Sequence, residues 1–120
     1  MTTPDLPYRL EPMLGVPASE PFDSPERIFE VKFDGLRALA FISNREVRLQ
    51  SRNFQDISQP FSAIAEALLD TVQADGVILD GQLVSTDKNG VSRLPLVVQR
   101  FSGQDPSSES IPVNFEVFDI

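Results

Sequence analysis

The sequence predicts an α+β domain built on an antiparallel sheet. Short strand-like segments follow one another through links of two or three residues, and such links join strands that run antiparallel. Two segments have the character of helices: one carries apolar residues at helical spacing, and a shorter one precedes the last strand. With 120 residues, the chain has the size of one domain or part of one.

The first 27 residues are predicted to be extended and irregular. They contain six prolines, Pro4, Pro7, Pro12, Pro17, Pro21 and Pro25. Proline lacks the backbone N–H that helices and central strands need. We expect this segment to lie across the domain, anchored by Met13, Leu14 and Phe22. The domain itself is expected over residues 28–120.

Three strands are predicted next, over residues 28–33, 36–43 and 46–51. The first and third alternate between polar and apolar residues. The second is apolar nearly throughout, which is typical of a strand covered on both faces. Asp34 and Gly35 are typical turn residues, so the first two strands are predicted to form a hairpin.

Two helices and two further strands complete the predicted order. Residues 59–72 are the strongest helix because apolar residues recur every three or four positions. Ser58 is the predicted N-cap. The remaining elements are a strand over 77–86, a short helix over 94–101, a flexible loop over 102–110 and a strand over 112–120.

Composition excludes several kinds of chemistry. The chain has no cysteine and no histidine, which removes disulfides, Cys or His metal sites and Ser-His nucleophile pairs. No apolar run approaches the roughly 20 residues needed to span a bilayer, and no signal peptide is present. We therefore expect a cytoplasmic protein without a membrane partner.

Charge is unevenly distributed along the chain. The net charge of −8 argues against the whole chain being a free-standing nucleic-acid binder. Half of the basic residues nevertheless lie between positions 32 and 52. This cluster fits a phosphate-facing patch, and it fits ordinary surface arginines on strands equally well.

Lys32 is the candidate nucleophile. It ends the first predicted strand, beside a glycine whose backbone can approach a ligand closely. An amine in that place suits a nucleophile or a phosphate clamp. A hairpin with a solvated lysine explains the same residues.

Four short motifs occur in a fixed order. They are Lys32–Arg37 (KFDGLR), Ser51–Asn53 (SRN), Leu79–Val84 (LDGQLV) and Phe115–Ile120 (FEVFDI). Together they resemble the adenylation domain of ATP-dependent DNA ligases, which carries K-x-D-G-x-R, S-R-N, L-D-G-E-L-V and F-x-x-F-D. The resemblance extends from Pro12 to Ile120 and is greatest to bacterial ligases of non-homologous end joining.

The resemblance implies an antiparallel-sheet nucleotidyltransferase fold that uses ATP and Mg²⁺. Lys32 would attack the α-phosphate of ATP, expel pyrophosphate and pass AMP to the 5′-phosphate of nicked DNA in repair and recombination. The resemblance implies that the nucleotide is bound by Glu30, Val31, Arg37, Arg52 and Phe118. Asp34 and Gly35 are the other fixed residues of the lysine motif.

The sequence departs from the family in two ways. Gln82 stands where the family has a metal-binding glutamate, and an amide brings no negative charge to Mg²⁺. The family's later glutamate and lysine strands and its OB-fold domain would come after Ile120. Residues 28–120 are therefore expected to be the N-terminal part of an adenylation domain, in a fragment of a longer ligase or in a short degenerate product. We therefore expect an incomplete fold, weak or absent activity of the chain alone, and a sheet edge that a dimer or a partner protein could cover.

Two alternative functions remain open at this point. One is a catalytically dead nucleotide- or partner-binding module derived from a ligase. The other is an RNA-ligase or capping-type nucleotidyltransferase, which shares the lysine motif. The S-R-N motif and the short helix before the last strand favour the DNA ligases.

Overall fold

The computed structural model describes residues 5–102 and 111–120, and these fold into one four-stranded sheet with two helices. The elements are β1 (Leu36–Ser43), β2 (Glu46–Ser51), α1 (Ser62–Thr71), β3 (Val77–Val84), α2 (Leu94–Ser102) and β4 (Asn114–Asp119). The strand order is β2-β1-β3-β4, and each neighbouring pair is antiparallel. The α+β prediction is confirmed.

One face of the sheet carries the core. Alternate strand residues point to this face, and α1 packs its predicted apolar stripe against them. The cluster of buried residues consists of Ala38, Ala40, Ile42, Leu49, Ile57, Phe61, Leu79, Leu83 and Val97. Ile64, Leu68 and Val72 of the helical stripe pack on it. This division leaves the opposite face of the sheet for other contacts.

Residues 8–13 of the N-terminal segment contact side chains of that opposite face. The Gln50 side chain accepts a hydrogen bond from the Leu10 amide (3.1 Å) and donates one to the Leu10 carbonyl (2.7 Å). Met13 is 79% exposed, so the predicted anchoring by apolar side chains is wrong for that residue. Side chains of the sheet hold the segment through hydrogen bonds to its backbone N–H and C=O groups.

The predicted strand over residues 28–33 is absent, and so is the hairpin. Both edges of β1 are already paired, one with β2 and the other with β3. Residues 28–33 therefore have no edge of β1 to join. Ile28 and Val31 are 100% and 74% exposed. Alternation alone does not make a strand when no ladder partner is available.

Other boundaries differ by a few residues. α1 begins at Ser62, and Phe61 is its N-cap without a side-chain hydrogen bond. The predicted cap Ser58 instead accepts from the Leu49 amide (2.9 Å) and donates to Asp56 (2.6 Å). Burial opposes ionisation of Asp56, but hydrogen bonds from Ser58 leave its pKa below the ordinary value.

Three predictions about the flexible loop, the edge of the sheet and the domain boundary remain open. Apart from Ser102, which ends α2, the predicted flexible loop lies outside the described residues. β4 has one paired edge, on β3, among the described strands. A dimer or a partner at its other edge stays a prediction, as does a domain boundary at residue 28. Neither helix in the described ranges is long and apolar enough to cross a membrane.

Candidate active site

A cleft of about 440 Å³ lies between the lysine segment and the last two strands. It is lined by Glu30, Val31, Lys32, Phe33, Gln82, Glu116, Val117 and Phe118. Three motifs that are distant in sequence therefore meet in one place. Five predicted site residues share this cleft, namely Glu30, Val31, Lys32, Gln82 and Phe118.

Two residues that line the cleft, Gln82 and Glu116, belong to a row of polar residues across three strands. Arg37 on β1 is paired with Gln82 on β3, and Gln82 is paired with Glu116 on β4. Residues paired in this way point to the same face of the sheet. Their neighbours Ala38, Gly81 and Leu83 are buried on the core side. The polar row therefore lies on the face opposite the core.

Lys32 presents an exposed side chain at this cleft. It lies in an irregular segment, not at the end of a strand. Within the described residues its amine has no ion pair and no hydrogen bond to a side chain. A lysine can attack an electrophile once it loses its proton, and no carboxylate of the described residues holds this amine in an ion pair. Lys32 is thus accessible to a ligand in the cleft.

Asp34 and Gly35 fix the segment that carries Lys32. The Asp34 amide donates to the Ser92 hydroxyl (2.9 Å), and its carboxylate accepts from the Leu94 amide (2.9 Å). A Cβ on Gly35 would lie 2.4 Å from the Leu83 carbonyl oxygen on β3. This approach to the strand backbone is possible only without a side chain. The two motif residues therefore hold the lysine segment against β3 and α2.

Arg37 is engaged within the protein. Its Nε and Nη2 donate to the two Asp80 oxygens at 2.7 and 2.6 Å, and Nη2 also donates to the Met13 carbonyl (2.8 Å). Hydrogen bonding to Asp80 raises the pKa of Arg37, against the effect of burial. The guanidinium carbon lies 4.8 Å from the centre of the Phe118 ring. Arg37 thus supports Phe118, and its own contact with a nucleotide stays a prediction.

Arg52 lies in a second cleft of about 370 Å³. Gln82 lines both clefts, so it marks the border between them. The S-R-N motif contributes to the second cleft together with Leu94, Val98 and Phe101 of α2. The structure therefore does not bring Arg52 and Lys32 into the same cleft.

Sequence reasoning missed two carboxylates at the site. Asp80 pairs with Arg37, and Glu116 faces Gln82 beside Lys32. Glu116 could have been found, since alternation along the last strand puts it on the same face as Phe118. The Asp80–Arg37 ion pair could not have been predicted from the sequence, because it depends on the register between two strands that are distant in sequence.

The predicted Mg²⁺ site does not fit the residues in place. Among residues 5–102 and 111–120, no three Asp, Glu, His or Cys side chains converge on a possible metal position. Gln82 offers a neutral amide where the family has a carboxylate. Mg²⁺ in proteins is held by carboxylates and phosphates in strict octahedral geometry. The described residues do not form a resident metal site.

Comparison with known families agrees with this geometry. Residues 12–120 match the family described as the ATP dependent DNA ligase domain. The match covers the sheet, both helices and both clefts. The chain therefore belongs to the ATP-dependent DNA ligase domain family.

Individual relatives carry related names. The DNA ligase-like protein LigB of the SPbeta prophage in Bacillus subtilis is 27% identical over 90% of this chain and 38% of its own length. DNA ligase C1 of Mycolicibacterium smegmatis is 37% identical over 67% of this chain and 24% of its own length. This chain thus spans less than two fifths of either relative.

A solved structure shares the fold. The mycobacterial DNA ligase D complexed with ATP and MES superimposes with a TM-score of 0.55 and 28% identity. The shared part covers 75% of this chain and 27% of that chain. The antiparallel sheet and its two helices are thus the fold of a ligase domain.

Proposed function

We propose that this chain forms a covalent lysine–AMP adduct from ATP, with Lys32 as the nucleophile. The Lys32 nitrogen forms a bond to the α-phosphorus while the bond from that phosphorus to the bridging oxygen of pyrophosphate breaks. The lysine proton leaves to solvent, and pyrophosphate departs. The observation that carries the proposal is the meeting of Lys32, Glu30 and Phe118 in one cleft.

The cleft offers a place for the base. Phe118 is 43% exposed, and Arg37 lies over its ring. A guanidinium over an aromatic ring attracts it and limits its motion. Phe118 would then present a fixed apolar surface to the adenine, Val31 would add an apolar wall, and Glu30 would accept hydrogen bonds from the base or ribose.

The phosphates would extend toward the second cleft. Gln82 borders both clefts, and Arg52 lies in the second one. Arginine is suited to phosphate because its planar fork donates two parallel hydrogen bonds. Arg52 is the proposed phosphate contact, and Arg37 can add one through the Nη1 group that its contacts with Asp80 and Met13 leave unused.

The rate of adduct formation should be low. The sequence holds only two lysines, Lys32 and Lys88, and Lys88 lies beyond the end of β3, outside both clefts. Gln82 adds no charge for a metal. Phosphoryl transfer depends on positioning and on neutralisation of developing charge, so a site poor in cations and carboxylates is slow. Transfer of AMP to the 5′-phosphate of nicked DNA is the step that the family resemblance suggests next.

Labelled ATP tests this proposal directly. The full chain is incubated with ATP carrying a radioactive α-phosphate and Mg²⁺, and covalent label is measured after denaturation. Lys32→Ala should abolish the label, while Lys88→Ala, the matched control, should keep it. An unlabelled wild-type chain after prolonged incubation, or label that survives Lys32→Ala, would overturn the proposal.

A nucleotide-binding module without chemistry is the second candidate. Gln82 favours it, because this substitution removes the charge that a metal needs and leaves the cleft intact. Such a module binds ATP in calorimetry and forms no adduct. In that case the wild type forms no covalent product with ATP, and Phe118→Ala binds ATP more weakly than the wild type does.

A further inference from the structure

The lysine segment is fastened to the beginning of α2. Leu94 is the first residue of that helix, and its amide donates to Asp34 Oδ2 (2.9 Å). The first amides of a helix have no partner within the helix and need an acceptor from elsewhere. Here the acceptor comes from a residue sixty positions earlier in the chain. Ser92 adds a second link through the Asp34 amide (2.9 Å).

The same helix forms a wall of the second cleft. Leu94, Val98 and Phe101 line it beside Arg52. Phe101 also stacks on the buried Phe61, with ring centres 6.2 Å apart. α2 is thus fixed to the core at one end and to the lysine segment at the other. The Leu94 amide thus links a wall of the second cleft to the segment that carries Lys32.

We infer that Asp34 is a positioning residue for Lys32, which acts by capping α2 and so holds the lysine segment at a fixed place between the two clefts. The inference rests on the proposed function of Lys32. Asp34 lies two residues from Lys32 and, unlike Lys32, lines neither cleft. Its carboxylate is turned to the helix, so its effect on the reaction is indirect.

This role separates the hydrogen-bond acceptor from the charge. Asp34→Asn keeps a carbonyl oxygen that can accept from the Leu94 amide, and it removes only the charge. Asp34→Ala removes both. If the Asp34 carboxylate acted on the reacting atoms, both variants would remove it, and both would lower the rate equally. A cap would be largely retained by asparagine, which is as good an N-cap as aspartate.

The kinetic test compares the variants in the full chain. Asp34→Ala should lower the maximal rate of Lys32–AMP formation about 10- to 100-fold, the range for a catalytic group that is slightly misplaced. Its KM for ATP should change much less, because the groups that line the clefts remain. Asp34→Asn should restore most of the rate. Equal losses in both variants would overturn the inference.

Asp87→Ala is the matched control. The Asp87 carboxylate accepts from the amides of Asn89 and Val91 and from Arg93 Nε, in the turn just before α2. These hydrogen bonds lower the pKa of Asp87, the one from Val91 most. None of these hydrogen bonds of the Asp87 side chain reaches residues 30–35. Loosening it should leave the maximal rate nearly unchanged, and a loss as large as that of Asp34→Ala would contradict a specific role for Asp34.

Hydrogen exchange keeps the inference testable without catalysis. In the absence of ATP, Asp34→Ala should speed exchange of the Leu94 amide and of amides at 32–35, while Asp34→Asn should keep them protected. Unchanged exchange in Asp34→Ala would refute the cap even if the wild type forms no adduct. If Asp34→Ala does not fold, Asp34→Asn carries the test against the wild type: it should keep the Leu94 amide protected, and loss of that protection would refute the cap.

Discussion

Gln82 and Glu116 face each other across β3 and β4, on the sheet face that carries the Lys32 cleft. The amide can donate a hydrogen bond to the carboxylate, which a second carboxylate cannot do. Like charges that lie directly opposite each other in a sheet are destabilising. Gln82 is therefore compatible with Glu116 in the absence of a metal.

Gln82→Glu tests this compatibility. We expect it to lower the free energy of unfolding by about 0.2–1 kcal/mol in metal-free buffer, through repulsion with Glu116. Added Mg²⁺ should recover part of this loss, because two carboxylates can share the cation. Thermal unfolding with and without Mg²⁺ measures both effects. The double variant Gln82→Glu/Glu116→Gln has one carboxylate at this pair, so the repulsion is removed. If the double variant still shows the full loss of stability, repulsion between residues 82 and 116 is not its cause.

Gly35 provides a second prediction at the scale of single residues. A Cβ there would lie 2.4 Å from the Leu83 carbonyl oxygen, and backbone cannot move aside as a flexible side chain can. Gly35→Ala should cost about 1–3 kcal/mol of stability, as overpacking usually does, and should slow Lys32–AMP formation. Gly15→Ala is the control, because nothing lies within 4 Å of its Cβ position. Equal stability of the two variants in chemical denaturation would contradict the steric account.

Among the elements, the N-terminal segment is held in an unusual way. Its backbone is bound by side chains of the sheet, and Gln50 alone makes two hydrogen bonds to Leu10. Gln50 is 1% exposed, so its amide would have no water to replace a lost partner. The attachment of this segment depends on a few polar side chains more than on apolar contact.

Gln50→Ala should therefore release the segment. We expect a loss of about 1–3 kcal/mol for two hydrogen bonds at a buried site, together with faster proteolysis between residues 5 and 14. Limited proteolysis followed by mass spectrometry measures the second effect. Gln73→Ala, at an exposed position after α1, should change neither quantity. Unchanged cleavage in Gln50→Ala would show that other contacts hold the segment.

Elements with a local signal were predictable from the sequence. β1 and β2 agree with the prediction to the residue, because an apolar strand, a short turn and an alternating strand specify a hairpin. Residues 28–33 carry a similar pattern and are not a strand, since β3 takes the edge of β1 that they would need. Competition for an edge cannot be seen in the local pattern.

At the scale of the whole molecule, the sheet separates two tasks. One face builds the core with α1, and the other carries the polar row, the Lys32 cleft and the contact with Leu10 of the N-terminal segment. Lys32, Gln82 and Phe118 lie in recognisable motifs, and the structure brings them to one cleft, while their roles there stay predictions. The sequence motifs could not predict that Arg52 has a cleft of its own, which depends on where α2 packs.

The position of AMP on the chain is the most direct test of the account. After incubation with ATP and Mg²⁺, the full chain is digested with trypsin at neutral pH, and the peptides are identified by mass spectrometry. Trypsin does not cut after a modified lysine, so we predict a peptide from Ile28 to Arg37 that carries one AMP. Cleavage after Lys32 in every peptide, or AMP on a different residue, would contradict the central role of Lys32.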